Sequence, residues 1–182
     1  MDKLMKAFSD LGYVDETNDK IVSFGLKQLC TLLKDILFAT AVAFVMGKMS
    51  AGIIFEVAYI PVRVYAGGAH ASNERLCKYL TYGSIVVCMA CIFYLPVKLE
   101  ILHFILVVSV GTVFITAPVE SKNKPLNAKE RTVFYQRCIG ITILEMISYC
   151  LLIYAGNFFY AKVICIALVL VAVGLLVGKR QR

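Results

Sequence analysis

Four long apolar runs, residues 79–95, 99–117, 138–155 and 159–177, constrain this chain more than any other feature. Lipid offers no hydrogen-bond partner to the backbone, so runs of this kind fold as helices that satisfy their own N–H and C=O groups. Each approaches the roughly 20 residues of helix that a bilayer core requires. Pro96 marks the turn between the first two, and Gly156-Asn157 the turn between the last two. The chain is 60% hydrophobic, against about 45–50% for a soluble domain. It contains no tryptophan, so tyrosine and phenylalanine supply any interfacial aromatic belt.

The segment before these runs is of a different kind. Leu4, Met5, Phe8 and Leu11 recur at helical spacing. In residues 18–34, Lys20, Ser23, Lys27, Thr31 and Lys34 form a polar stripe, and Ile21, Phe24, Leu29, Leu32 and Leu33 fill the other side. The pattern predicts amphipathic helices on the inner membrane face, with lysines towards anionic headgroups, or a helix packed on the domain's own cytoplasmic face. Residues 1–20 lack the apolar core and small-residue cleavage site of a signal peptide. Residues 35–62 are two apolar pieces interrupted by Gly47-Lys48-Met49-Ser50, and a short hairpin or re-entrant pair fits them. The expected fold is therefore all-α: a polytopic membrane helical domain with about four full transmembrane helices, a short broken helical hairpin and N-terminal amphipathic helices. Residues 1–34 are expected to lie on the membrane face and residues 35–182 to form the multi-pass domain.

Charge placement orients it. Lys122, Lys124, Lys129, Arg131 and Arg137 crowd the connection 118–137, the chain ends Lys179-Arg180-Gln181-Arg182, and the opposite turns carry only Lys98 and Lys162. The positive-inside rule puts the basic loop, the tail and segment 63–78 in the cytoplasm.

Other motifs carry less. Most of the seven cysteines, Cys88, Cys91, Cys150 and Cys165 among them, lie in apolar runs, where a thiol behaves as a small hydrophobe. Cys88 and Cys91 have C-x-x-C spacing without the further ligands of a zinc site, so no metal is expected. Gly174 and Gly178 form a G-x-x-x-G that permits close helix contact. His103 falls on the outer side, far from Cys77, which suits a structural role. No nucleotide motif is present, and neither a cofactor nor a nucleic-acid partner is expected.

Segment 63–78 is the exception to the apolar pattern: polar, broken by Gly67-Gly68, with one of two histidines and a cysteine seven residues on. A thiol becomes a strong nucleophile as a thiolate, and histidine is the usual base. On one continuous helix, His70 and Cys77 would share a face but lie about 10.5 Å apart along the axis. Catalysis by the pair requires a bend that brings His70 back over Cys77. The competing reading is a membrane-edge histidine and a buried thiol that never meet.

Arg63, the block Tyr65-Ala66-Gly67-Gly68-Ala69-His70-Ala71, and Cys77 together resemble the signature of the accessory gene regulator B family. Ala117-Pro118 followed by Lys122-Asn123-Lys124-Pro125 is similar to the family's basic loop, with Asn123 as an interruption. The resemblance implies a bacterial membrane cysteine endopeptidase of quorum sensing, working as a homodimer. Its substrate would be a short pro-peptide of the autoinducing-peptide precursor type, released as a cyclic thiolactone or lactone.

On that reading Cys77 is the nucleophile and His70 its base. The oxyanion hole is formed by backbone N–H groups at Gly67 and Gly68, or by Ser72 or Asn73. Asn73 or Glu74 orients the imidazole. Arg63, Lys122 and Lys124 bind an acidic part of the precursor or anchor the inner face to lipid. Glu56 and Glu145 lie within apolar sequence, where carboxylates face a cavity or a partner; as substrate-binding candidates, Glu56 helps to line the site and Glu145 meets a basic group from another helix, or either is a neutral, hydrogen-bonded structural residue. The alternative function is a small transporter or channel that uses Glu56 and Glu145. A scaffolding protein without chemistry is the third reading.

Overall fold

The computed structural model of the chain describes residues 19–69, 73–120 and 126–181, apart from the Glu74 side chain. His70, Ser72, Lys122, Lys124 and the helical pattern at residues 4–11 lie outside the described residues. The described secondary structure is helical: α1 (Asp19–Val45), α2 (Met49–Ala66), α3 (Glu74–Tyr94), α4 (Leu99–Thr116), α5 (Ala128–Tyr154) and α6 (Phe158–Arg180). All six are long and apolar enough to cross a bilayer. The protein is a polytopic membrane helical protein.

The chain divides into two units, residues 1–38 and 39–182. In the first, Ile21, Phe24, Leu29 and Leu33 are exposed along α1, as an apolar stripe available to lipid requires. Neither glycine nor proline occurs between Leu26 and Met46, and α1 runs unbroken through the expected boundary at residues 34/35. It stops where Gly47 takes φ +96°. The second arm, α2, has 18 residues, a length of about 27 Å at 1.5 Å per residue. The hairpin arms are thus longer than the apolar runs alone indicated, because Met49 and Ser50 join α2 and Arg63 to Ala66 continue it.

In the second unit α6 is the central helix, touching α2, α3, α4 and α5. Its residues Val163 to Leu168 form a continuous buried stretch, with Val171, Ala172 and Leu175 beyond. A helix apolar on all sides is the one that other helices can surround. The outer helices α3, α4 and α5 leave Val87, Val107, Leu144 and Leu151 exposed, as lipid contact allows.

Alternating helix directions create two ends. One is closed by Lys48, whose Nζ lies 4.1 Å from the Phe159 ring centroid and 4.6 Å from that of Tyr160. There Ser50 Oγ and Tyr160 OH are hydrogen-bonded at 2.6 Å, and Lys162 Nζ donates to Leu95 O at 3.1 Å. The other end carries Gly67–Ala69, the start of α3, the connection after α4, and the C-terminal turn of α6. Arg63, Arg75, Lys78, Lys129, Arg131, Arg137, Lys179 and Arg180 gather there. Asn127 opens α5 with a reciprocal capping box: its Oδ1 accepts from Glu130 N–H while the Glu130 carboxylate accepts from Asn127 N–H.

Candidate active site

Helix α2 ends at Ala66, and Gly67 (φ +71°, ψ −149°) turns the chain out of it. That conformation is open to glycine and to few other residues. The Gly67 N–H donates to Arg63 O at 3.1 Å. It therefore closes the helix. Gly67 then pairs in a parallel bridge with Val119, where Val119 N–H donates to Ala66 O at 2.8 Å. A Cβ at Gly67 would collide with Val119 O.

Arg63 holds this turn from inside. Its Nη1 donates to Gly67 O and its Nη2 to Ala69 O, the latter at 2.8 Å. A planar guanidinium is suited to gripping two carbonyls at once. The sequence reading assigned Arg63 to a substrate or to lipid, and the structure turns it onto its own backbone. The far side of the turn rests on α6: Ala69 N–H donates to Gly174 O at 2.9 Å. The bare Cα of Gly178 admits the same backbone, since a Cβ there would lie 2.6 Å from Ala69 N and 2.6 Å from Gly68 C. The G-x-x-x-G at 174–178 thus receives a loop, where its spacing suggested a second helix.

Helix α3 begins at Glu74, with Asn73 as its cap: Asn73 Oδ1 accepts from Arg75 N–H at 3.0 Å. An asparagine at this position satisfies a backbone donor the helix leaves open. Cys77 N–H donates to Asn73 O at 2.9 Å, so the half-buried thiol sits one turn into α3. In sequence His70 falls between the end of α2 at Ala66 and the start of α3 at Glu74. The helical separation of about 10.5 Å that one continuous helix would impose does not apply.

Around this core the basic segment is anchored. Arg137 Nη1 donates to Tyr65 OH at 3.3 Å and its guanidinium stands 5.5 Å from the Tyr65 ring centroid. Phe134 meets the same ring edge-on at 5.6 Å. Arg131 of α5 and Glu120 pair at 3.9 Å. Sequence reasoning passed over Tyr65, Arg137, Val119, Gly174 and Gly178 as site-forming residues. Tyr65 had entered only within the resemblance block, Arg137 only as a charge of the connection, and the two glycines only as a helix contact.

The carboxylates lie elsewhere. Glu56 is buried on α2, two turns deeper than Arg63. Glu145 is buried on α5, one turn before Tyr149, whose ring packs edge-on against His103 at 5.7 Å. His103 stands near the start of α4, at the opposite end from the glycine turn. All seven cysteines are free thiols. Among the described residues no three His, Cys, Asp or Glu side chains gather as a metal site.

Fold and site together define a multi-pass helical membrane protein with a half-buried cysteine in the first turn of α3 and a backbone turn at Gly67–Ala69 pinned on three sides. The family model described as Accessory gene regulator B matches residues 1–175. The chain belongs to the accessory gene regulator B family. An AgrB-like protein of Clostridium perfringens (strain SM101 / Type A) is 29% identical over 135 residues, covering 69% of this chain and 62% of that protein. Accessory gene regulator protein B of Staphylococcus aureus (strain MW2) is 25% identical over 122 residues, 67% of this chain and 64% of that protein. That of Staphylococcus haemolyticus (strain JCSC1435) is 31% identical over 107 residues, 58% of this chain and 56% of that protein. The chain thus spans less than two thirds of the length of these relatives. No solved structure matches it.

Proposed function

We propose that this protein is a cysteine endopeptidase of the cell membrane that cleaves a short quorum-sensing pro-peptide and promotes its cyclisation. The observation that carries the reading is the end of α2 at Ala66 and the fresh start of α3 at Glu74. Cys77 stands in the first turn of α3, and Ala69, the residue before His70 in sequence, is tied to Arg63 and Gly174. Cysteines near helix N-termini are a recurrent reactive type, and a base close by is what a thiol nucleophile needs.

His70 takes the thiol proton, and the sulfur attacks the scissile carbonyl. The C–N bond breaks, the imidazolium returns the proton to the leaving amine, and Cys77 is left as a thioester. A thiol or hydroxyl within the bound peptide then attacks the same carbonyl and gives up its proton to His70. The acyl C–S bond breaks, Cys77 leaves as the thiolate, and the imidazolium of His70 returns the proton to it. The product is a cyclic thiolactone or lactone. The exchange needs no nucleotide, since the thioester retains the acyl group in activated form. Water must be kept away, a requirement that a site at the membrane rim can meet. Oxyanion donors are drawn from Gly68 N–H, the Ser72 hydroxyl and the Asn73 amide.

The cationic end of the bundle supports a cytoplasmic site, with Lys122, Lys124 and neighbouring residues facing an acidic stretch of the precursor or anionic lipid. A homodimer in the membrane completes the proposal. The test is cleavage of short precursor peptides encoded beside the gene by the protein in lipid vesicles. Cleavage by the wild type that is lost in both Cys77→Ala and His70→Ala supports the assignment. Undiminished cleavage by Cys77→Ala refutes it.

A further inference from the structure

We infer that Gly178, about a hundred residues from Cys77 in sequence, is a positioning residue for the chemistry of Cys77 and His70. The inference rests on the reading of those two residues as nucleophile and base. Its own support is the packing of the Gly67–Ala69 backbone against α6.

That backbone is fixed from several directions. Val119 pairs with Gly67 on one side. Arg63 holds the Gly67 and Ala69 carbonyls. Gly174 O accepts the Ala69 N–H, and Gly178 is the surface on which Gly68 and Ala69 lie. A methyl at Gly178 would stand 2.6 Å from two backbone atoms, Ala69 N and Gly68 C. No flexible side-chain end is there to move aside, and Arg63 and Val119 resist movement of the backbone itself. The loop must lift, and His70 is the next residue after Ala69. Its Cα is tied to that of Ala69 across one peptide unit, about 3.8 Å. Displacement of a reacting group by as little as 1 Å costs up to about 100-fold in rate.

Gly174 is different, and the difference makes the inference sharp. Its contribution is a backbone carbonyl, which every residue possesses. A Cβ there would meet Arg63 Nη1 at 3.5 Å and Cζ at 3.8 Å, ordinary contact distances. If the pair of glycines served helix–helix packing, both would be sensitive to a methyl group. As a loop support, only Gly178 is. Gly140 on α5 has nothing within 4 Å of an added Cβ and serves as a control in a helix of the same unit.

The experiment measures the rate at which iodoacetamide alkylates Cys77 at neutral pH, followed by mass spectrometry of the full chain in lipid vesicles. The proteins are wild type, His70→Ala, Gly178→Ala, Gly174→Ala and Gly140→Ala, each checked by its thermal midpoint. His70→Ala is expected to slow alkylation at least tenfold. Gly178→Ala is expected to fall to a similar rate with its thermal midpoint within a few degrees of wild type, while Gly174→Ala and Gly140→Ala stay within twofold. Wild-type alkylation in Gly178→Ala beside a slow His70→Ala overturns the loop support and leaves the peptidase reading standing. Equal slowing in Gly174→Ala and Gly178→Ala overturns it in favour of general packing. Wild-type alkylation in His70→Ala removes the base assignment and the inference with it. If Gly178→Ala fails to fold, Arg63→Lys gives the same readout from the other face of the loop. A single ammonium cannot span both carbonyls as the guanidinium does, and an unchanged rate there counts against the loop support.

Discussion

Replacing Gly67 by alanine tests the geometry of the turn most severely. Gly67 has φ +71° and ψ −149°, a combination that costs a residue with a Cβ on the order of 1–3 kcal/mol. The methyl would also strike Val119 O, and relief of that clash separates the strands of the Gly67–Val119 bridge. The Val119 N–H to Ala66 O bond, 2.8 Å long, is then lost, a further contribution of about 1 kcal/mol. The sum is roughly 2–4 kcal/mol against the pinned turn, which depletes it by about 30- to 1,000-fold at 1.36 kcal/mol per factor of ten. The penalty is local, because the core around α6 is untouched. Precursor turnover in vesicles should therefore drop by at least 30-fold, while the thermal midpoint in detergent moves little. Gly140→Ala, with open space around its Cβ, should keep wild-type turnover and gain up to about 1 kcal/mol of helix stability. Turnover by Gly67→Ala within twofold of wild type would show that the turn does not position the site.

The remaining predictions concern the neighbours of that turn. Arg63→Lys keeps the charge and loses one of the two carbonyl contacts, a loss of about 1–2 kcal/mol for a half-buried charged hydrogen bond; turnover measured on the same precursor should fall roughly 5- to 30-fold. Asn73→Ala removes the cap of α3 at a cost of about 1 kcal/mol and should slow turnover severalfold, whereas Asn73→Ser, which can still cap, should not. An equal loss in Asn73→Ser would favour a direct role for the asparagine amide. Lys48→Met deletes the cation over Phe159 and Tyr160 at the far end, lowering stability by roughly 0.5–1 kcal/mol with turnover unchanged.

Much of the fold was legible because membrane helices obey simple rules. The apolar runs, Pro96, Gly156 and the interruption at Gly47 place the helix ends, since lipid forces each run to satisfy its own backbone. What periodicity does not report is which helix lies inside. Residues 159–177 looked like one of four equal spans, and only packing shows that α6 is the helix enclosed by its neighbours. Segment 35–62 was ambiguous because Gly47-Lys48-Met49-Ser50 splits it into two pieces each short of a span, yet α1 enters it from Asp19 and α2 runs on through Pro61 and Arg63 to Ala66.

At the site, the residue types that carry chemistry were visible and the roles of their supports were not. Cys77, His70 and Gly67-Gly68 drew attention by composition. That Arg63 grips its own chain, that Asn73 caps a helix, and that Gly67 spends its N–H on Arg63 O are facts of three-dimensional approach. Sequence spacing records none of these. Gly174 and Gly178 show the limit most clearly, because small residues at that interval license close approach without naming what approaches.

The most direct test of the proposed chemistry is intact mass spectrometry of the wild-type chain in lipid after brief incubation with precursor peptide, beside Cys77→Ala and His70→Ala. The expected result is a hydroxylamine-sensitive acyl adduct on Cys77 in the wild type, absent from both variants, together with release of the C-terminal part of the precursor. Precursor cleavage by Cys77→Ala at the wild-type rate, or an adduct on any other residue, would contradict it.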